Sequence, residues 1–261
     1  KDIITFDPQE ELYHYGQEAM NERFLKLVAR EKPDFVFLWL IYDEFFLDTL
    51  KKIREVSPTT RTINFFGDDD VLFFNYSRYY ALFCDYGLIF HGEYLPRYRA
   101  EGLRHVFQTH VANTEHFKPL KLPKKYDVTF IGTPKRDRYN CIRYLLDNAI
   151  AVSVFGAGWE AYPELRSIYG GKPDDKAYVR IINQSKINLS FTKNYEGKPS
   201  YKGRVAEISA CGSFALSEYY SGYLKMFKNN REIVMFDDNA DLLKKVRYYL
   251  AHDDERENIA Q

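Results

Sequence analysis

The chain has 261 residues, enough for one large domain or two of ordinary size, each with its own core. Hydrophobic residues at 45% and charged residues at 28% exclude a disordered or fibrous chain. Lys and Arg total 37 against 37 Asp and Glu, so the formal charge is zero and the basic stripe of a nucleic-acid binder is not expected. Cys84, Cys141 and Cys211 have neither metal-ligand spacing nor a disulfide framework, which points to a reducing cytoplasm. No apolar run approaches the roughly 18 residues of a membrane span, and no signal peptide opens the chain. The expectation is a cytoplasmic protein without a transmembrane segment, with peripheral membrane association left open. The missing initiating Met leads us to expect a fragment. The 22 Tyr and 20 Phe suit both core filling and carbohydrate binding.

Met20, Phe24, Leu27 and Val28 recur at helical spacing, and the apolar run Asp34–Leu40 that follows predicts a strand buried on both faces. Phe46, Leu50, Ile53 and Val56 predict a helix, with Pro58 just past its end. A strand at Arg61–Phe66, a helix near Val71–Cys84, a strand at Tyr86–Phe90, a helix near Glu93–Gly102 and a strand at Arg104–Thr109 complete a βαβ series. Between Asn113 and Lys125 the pattern breaks: Pro119 and Pro123 sit among four lysines, as in a surface linker. A second alternation then begins. Strands are expected at Tyr126–Ile131, Ala151–Phe155, Ile187–Phe191, Ser213–Leu216 and Glu232–Phe236. Helices are expected near Arg136–Asn148, Lys176–Gln184, Val205–Cys211, Gly222–Phe227 and Ala240–Leu250. The pattern therefore predicts α/β domains at 1–112 and 126–261, joined by 113–125.

Parallel sheets collect ligands beyond the carboxyl ends of their strands. After Tyr126–Ile131, Gly132 permits a tight turn, and the amides near Thr133 can hold a phosphate, with Arg138 adding charge. After Ala151–Phe155, Gly156 and Gly158 let backbone approach a ligand or neighbour, and Trp159 either stacks on a base or sugar or covers the core edge. Lys202, Gly203 and Arg204 stand at a helix start, where an anion is favoured, and only Arg offers a bidentate fork. Glu207, one turn in, can accept from ribose hydroxyls; the alternative is an ordinary pair with Arg204. The Asp68–Asp70 run suits an N-cap better than a metal site, and Asp69 or His91 is the best available acceptor-side base. His14, His105, His110, His116 and His252 show no ligand spacing, and no metal is expected.

Matching segments occur in order along the chain: Lys32–Phe37, Asn64–Asp70, Phe130–Thr133, Val154–Trp159, Ile187–Phe191, Lys202–Glu218, Glu232–Phe236 and Asp241–Ala260. Through them the chain resembles the CgeB-like (spore-maturation) glycosyltransferases, related to the group 1 glycosyltransferases. The resemblance implies the GT-B architecture, two Rossmann-like domains with parallel sheets facing across a cleft. It also implies an acceptor-side first domain, truncated at its start, and a donor-side second domain. Carried over by position, Glu207 meets the nucleotide ribose, Lys202 and Arg204 hold the diphosphate, and Gly132, Thr133 and Gly156 approach the donor. Related retaining enzymes carry a second Glu eight residues before this one; here that slot is Pro199, with Glu196 or Glu218 as possible substitutes. The implied activity is metal-independent transfer of a sugar from a nucleoside-diphosphate donor to a glycan, lipid-linked or protein acceptor, with no cofactor. A nucleotide-sugar epimerase or hydrolase, or a catalytically silent carbohydrate- or partner-binding domain, are the alternatives.

Overall fold

The computed structural model describes residues 3–40, 43–109, 112–194 and 196–261; His110, considered above for metal ligation, lies outside them. Contacts divide the chain into two compact units, Lys1–Thr109 and His110–Gln261.

The first unit opens with α1 (Pro8–Glu31), which starts earlier than its apolar spacing announced. The Asp7 side chain accepts from the amides of Gln9 and Glu10, and Pro8 occupies the first turn, where its missing N–H costs nothing. Gly16, at φ 78°, breaks the helical run into two pieces. There follow β1 (Phe35–Leu38), α2 (Leu47–Val56) and β2 (Arg61–Phe66). The helix expected near Val71–Cys84 is instead three short turns: α3 (Asp69–Leu72), a π-helical turn at Phe73–Ser77, and α4 (Arg78–Ala81). Then come β3 (Tyr86–Ile89), α5 (Leu95–Ala100) and β4 (Val106–Gln108).

These strands form a parallel sheet in the order β1-β2-β3-β4. Each right-handed crossover steps the same way across the sheet, so the connecting helices share one face. That face carries Val36, Leu38, Phe66 and Ile89, packed with Met20, Phe24, Leu50 and Ile53. The opposite face is exposed at its edges, although Phe65 in its middle is buried between Trp39 and Phe90. Phe35, Phe37 and Phe107 are more than half exposed, and Trp39 is 66% exposed. The expectation that β1 is buried on both faces is therefore corrected: its apolar run is real, but among the described residues no helix covers its second face, and Phe35 and Phe37 alternate as exposed positions.

The second unit contains β5 (Tyr126–Ile131), α6 (Arg136–Asp147), β6 (Val152–Phe155), α7 (Asp175–Gln184), β7 (Ser185–Ser190), α8 (Arg204–Ala210), β8 (Ala215–Glu218), β9 (Val234–Phe236), α9 (Asn239–Ala251) and α10 (Asp253–Ala260). Two 3-10 turns at Trp159–Ala161 and Pro163–Ile168 were not anticipated, and the helix expected near Gly222–Phe227 is a 3-10 turn at Ser221–Lys225. The parallel sheet runs β6-β5-β7-β8-β9. Its strands alternate: Val128, Phe130, Ile187, Leu189 and Leu216 build an apolar core with α6 and α9, whereas Thr129, Ser185 and Asn188 are joined by buried hydrogen bonds.

The 113–125 segment is a strap along this unit. Leu120 N–H donates to Asn183 Oδ1 at 2.7 Å, Asn183 donates back to the Lys118 carbonyl at 3.2 Å, and Lys125 N–H donates to the Gln184 carbonyl at 2.7 Å.

Candidate functional site

The order β6-β5-β7 means that the chain leaves β5 toward one edge of the sheet and returns on the other side. Such a reversal parts the loops beyond the strand ends and opens a crevice there. Gly132 and Thr133, which follow β5, stand at that crevice. A Cβ on Gly132 would lie 2.9 Å from Phe130 Cζ, too close without a shift of that ring, and in ordinary contact, 3.4 Å, with Arg204 Nη2; the guanidinium thus reaches the Gly132 loop. Gly156, after β6, adopts φ +116°, and a Cβ there would fall 2.8 Å from the Gly132 carbonyl oxygen. The two glycine loops are thus in direct backbone contact.

Trp159 locks this contact. Its indole N–H donates to the Gly132 carbonyl at 2.6 Å, and the residue is only 1% exposed. Of its two alternatives the structure fits the second: the ring packs edge-on to Phe130 inside the core instead of lying open to stack on a base or sugar.

Two arginines converge over Phe130. The Arg138 guanidinium carbon lies 5.6 Å from the ring centroid and that of Arg204 lies 5.5 Å from it. Arg138 is 6% exposed and donates to the Thr133 carbonyl at 3.1 Å and its hydroxyl at 3.4 Å, which fixes the loop. Arg204 Nε is buried without a hydrogen-bond acceptor. A buried guanidinium donor left open is a costly arrangement unless an anion completes it.

Lys202 is held by its backbone and by its side chain. Its N–H donates to the Tyr223 hydroxyl and its carbonyl accepts from it, both at 3.1 Å, while Nζ donates to Ser200 Oγ at 2.7 Å. Gly203 precedes the first turn of α8. Glu207 accepts from the Tyr178 hydroxyl through Oε2 at 2.5 Å. Burial pushes that hydroxyl up to about 12, so it stays protonated and donates. The alternative for Glu207, an ordinary ion pair with Arg204, does not form.

The two substitutes for the Pro199 slot differ in exposure. Glu218 is buried and accepts from Thr192 N–H at 3.0 Å while pairing with Lys193 at 2.6 Å. Glu196 pairs with Lys198 at 2.8 Å on an exposed loop.

Asp69 and His91 belong to the first unit, at the carboxyl ends of β2 and β3. Asp69 is 1% exposed and accepts from the Tyr98 hydroxyl at 2.6 Å. Burial raises its carboxyl to about 7. The Asp run gives α3 no side-chain cap; Asp68 instead takes a left-handed conformation at φ 50°. His91 is equally buried, with Nε2 4.0 Å from Asp70 Oδ1. Among the described residues, no group of three or more His, Cys, Asp or Glu side chains is placed to hold a metal ion.

Sequence reasoning assembled the Gly132, Arg204 and Glu207 segments but passed over Tyr178, Phe130 and Tyr223. An aromatic repeat near each charged residue is no signal in a chain where aromatics are 17% of all residues.

Residues 136–261 match the family described as glycosyl transferase-like. The match lies wholly within the second unit. Among solved structures, sucrose-phosphate synthase from Thermosynechococcus elongatus superposes with a TM-score of 0.66 at 11% identity, covering 100% of this chain and 75% of that one. Anabaena HepE in complex with UDP-glucose gives 0.63 at 8% identity, covering 93% and 75%. A glycosyltransferase from Rickettsia africae gives 0.61 at 10% identity, covering 100% and 76%. No curated protein matches the sequence. The likenesses share the α/β fold of the GT-B class, with a four-stranded and a five-stranded parallel sheet here. No described helix is long and apolar enough to cross a membrane.

Proposed function

We propose that the protein is a glycosyltransferase that moves a sugar from a nucleoside-diphosphate donor to a glycan, lipid-linked or protein acceptor in a polysaccharide or glycoconjugate pathway. The observation that carries this reading is the approach of the Arg204 guanidinium to the Gly132 loop at the β5/β7 crevice, with its Nε open and Glu207 one turn on. A diphosphate supplies the missing acceptor oxygens, and a ribose supplies hydroxyls to Glu207. In transfer, negative charge grows on the departing diphosphate; Arg204, Lys202 and the loop amides oppose it from fixed positions. The donor carries the activated sugar, so the proposal invokes neither a metal nor a resident cofactor. The glycosyl transferase-like match over 136–261 supports it, as does the UDP-glucose held by a structure of like fold. The CgeB-like grouping rests on the ordered motif segments, and a cytoplasmic site of action rests on cysteine usage. Asp69 and His91 remain our candidates for the acceptor side.

The test is a thermal-shift panel of UDP, GDP, CDP, TDP and ADP on wild type and Arg204→Ala. One nucleotide at 100-fold over its dissociation constant should stabilise wild type by roughly 2.7 kcal/mol, and Arg204→Ala should lose most of that. No shift with any nucleotide would sink the donor-site reading. Product analysis with and without acceptor then separates transfer from epimerisation or hydrolysis.

A further inference from the structure

Glu207 and Arg204 stand three residues apart on α8, the spacing at which opposite charges on a helix ordinarily meet. They do not pair. Between them stands the hydroxyl of Tyr178, reaching across from α7, 29 residues away in sequence from Glu207. It donates to Glu207 Oε2 at 2.5 Å, and the Arg204 guanidinium is a hydrogen-bonding and charge neighbour of that same hydroxyl. The ring cannot easily swing aside, because Phe117 of the strap packs edge-on to it, with centroids 5.9 Å apart at 78°. One oxygen of Glu207 is thereby committed, and the other, Oε1, is left for an incoming donor. Arg204 keeps its fork directed at the Gly132 loop rather than at its own helix neighbour.

We propose that Tyr178 is a positioning residue for nucleotide recognition: it holds Glu207 out of an ion pair with Arg204, so that the carboxylate addresses ribose hydroxyls while the guanidinium addresses the diphosphate. The inference rests on the donor-site reading above. Removing the hydroxyl lets the two charges collapse onto each other, and both halves of the nucleotide lose their partner at once. A tyrosine that merely filled space would give a loss independent of Glu207. The two cases differ in what a second substitution does.

The experiment measures affinities by calorimetry for the tightest-binding of UDP, GDP and ADP and for its 2′,3′-dideoxy analogue, with folding checked by circular dichroism. Wild type should prefer the ribonucleotide by about tenfold or more, the scale of a hydrogen bond to a charged group. Tyr178→Phe should erase that preference and weaken the dideoxy analogue several-fold, because Arg204 is now neutralised. Adding Glu207→Ala to Tyr178→Phe should return the dideoxy affinity to within about twofold of wild type, with the preference still absent. Tyr178→His, which can still donate, should keep a ribonucleotide preference above threefold and serves if the Phe variant misfolds. The proposal is overturned if Tyr178→Phe leaves the preference intact, if Glu207→Ala adds to the loss instead of relieving it, or if Tyr178→His loses the preference in a folded protein. Failure of wild type to bind any of the three nucleotides is a different result, because it removes the donor-site reading itself.

Discussion

Asp69 is a carboxyl group whose environment disfavours its charge. It is buried at the first position of α3 with the Tyr98 hydroxyl at 2.6 Å, Asp68 and Asp70 beside it in sequence, and its carboxyl raised to about 7, chiefly by burial. The sign of the consequence follows from proton counts. Between about pH 4 and pH 7 the folded protein holds this proton and the unfolded chain does not, so stability falls as pH rises through that window and levels off above it. Asp69→Asn keeps an acceptor for Tyr98 and removes the titration. Its stability relative to wild type should therefore climb with pH, by on the order of 3–4 kcal/mol between pH 4.5 and pH 8. Urea unfolding of the first unit's transition at the two pH values measures this; a constant difference would show that Asp69 is an ordinary carboxylate. The same residue shows a limit of reading from sequence. Three consecutive Asp after a strand announce a cap or a metal ligand, whereas the direction in which the middle one points depends on a tyrosine 29 residues on.

At the scale of elements, apolar spacing located the strands and most long helices, because burial of one face imposes the period on the residues themselves. It misjudged β1. A continuous apolar run fits a strand covered on both faces, but coverage depends on which way the crossovers turn, and β1 through β4 advance in one direction. Trp39 and Trp159 report the difference directly, at 66% and 1% exposure. Acrylamide should quench one tryptophan population readily and the other hardly at all, and Trp39→Phe should remove the accessible population. Uniform quenching would contradict the placement of one or the other. The helix expected near Val71–Cys84 failed for a related reason: its aromatic residues satisfy more than one helical register, and the π-helical turn at Phe73–Ser77 is chosen by packing of Phe73 against Tyr94 and Tyr98.

At the scale of the whole molecule, each unit has its own core, and the strap belongs to the second. Every contact described for Gly132, Arg138, Gly156, Arg204, Glu207 and Tyr178 lies within residues 110–261. On the donor-site proposal, those residues expressed alone should fold, melt cooperatively by circular dichroism, and bind nucleotide within about threefold of the whole chain. A fragment that folds but no longer binds would move part of the nucleotide site to the first unit.

By itself the sequence determined two α/β alternations, the break between them and the glycine, arginine and glutamate segments that end strands or begin helices. These are local consequences of periodicity, turn chemistry and charge, written in residues near one another. The tertiary structure alone decided that Trp159 is buried and bonded to Gly132, that the second face of β1 stays exposed and that Glu218 is tied to the loop after β7. It also decided that Tyr178 stands between Arg204 and Glu207. Each of these depends on which distant backbone lies alongside, and that is set by strand order and crossover direction rather than by any short stretch of residues.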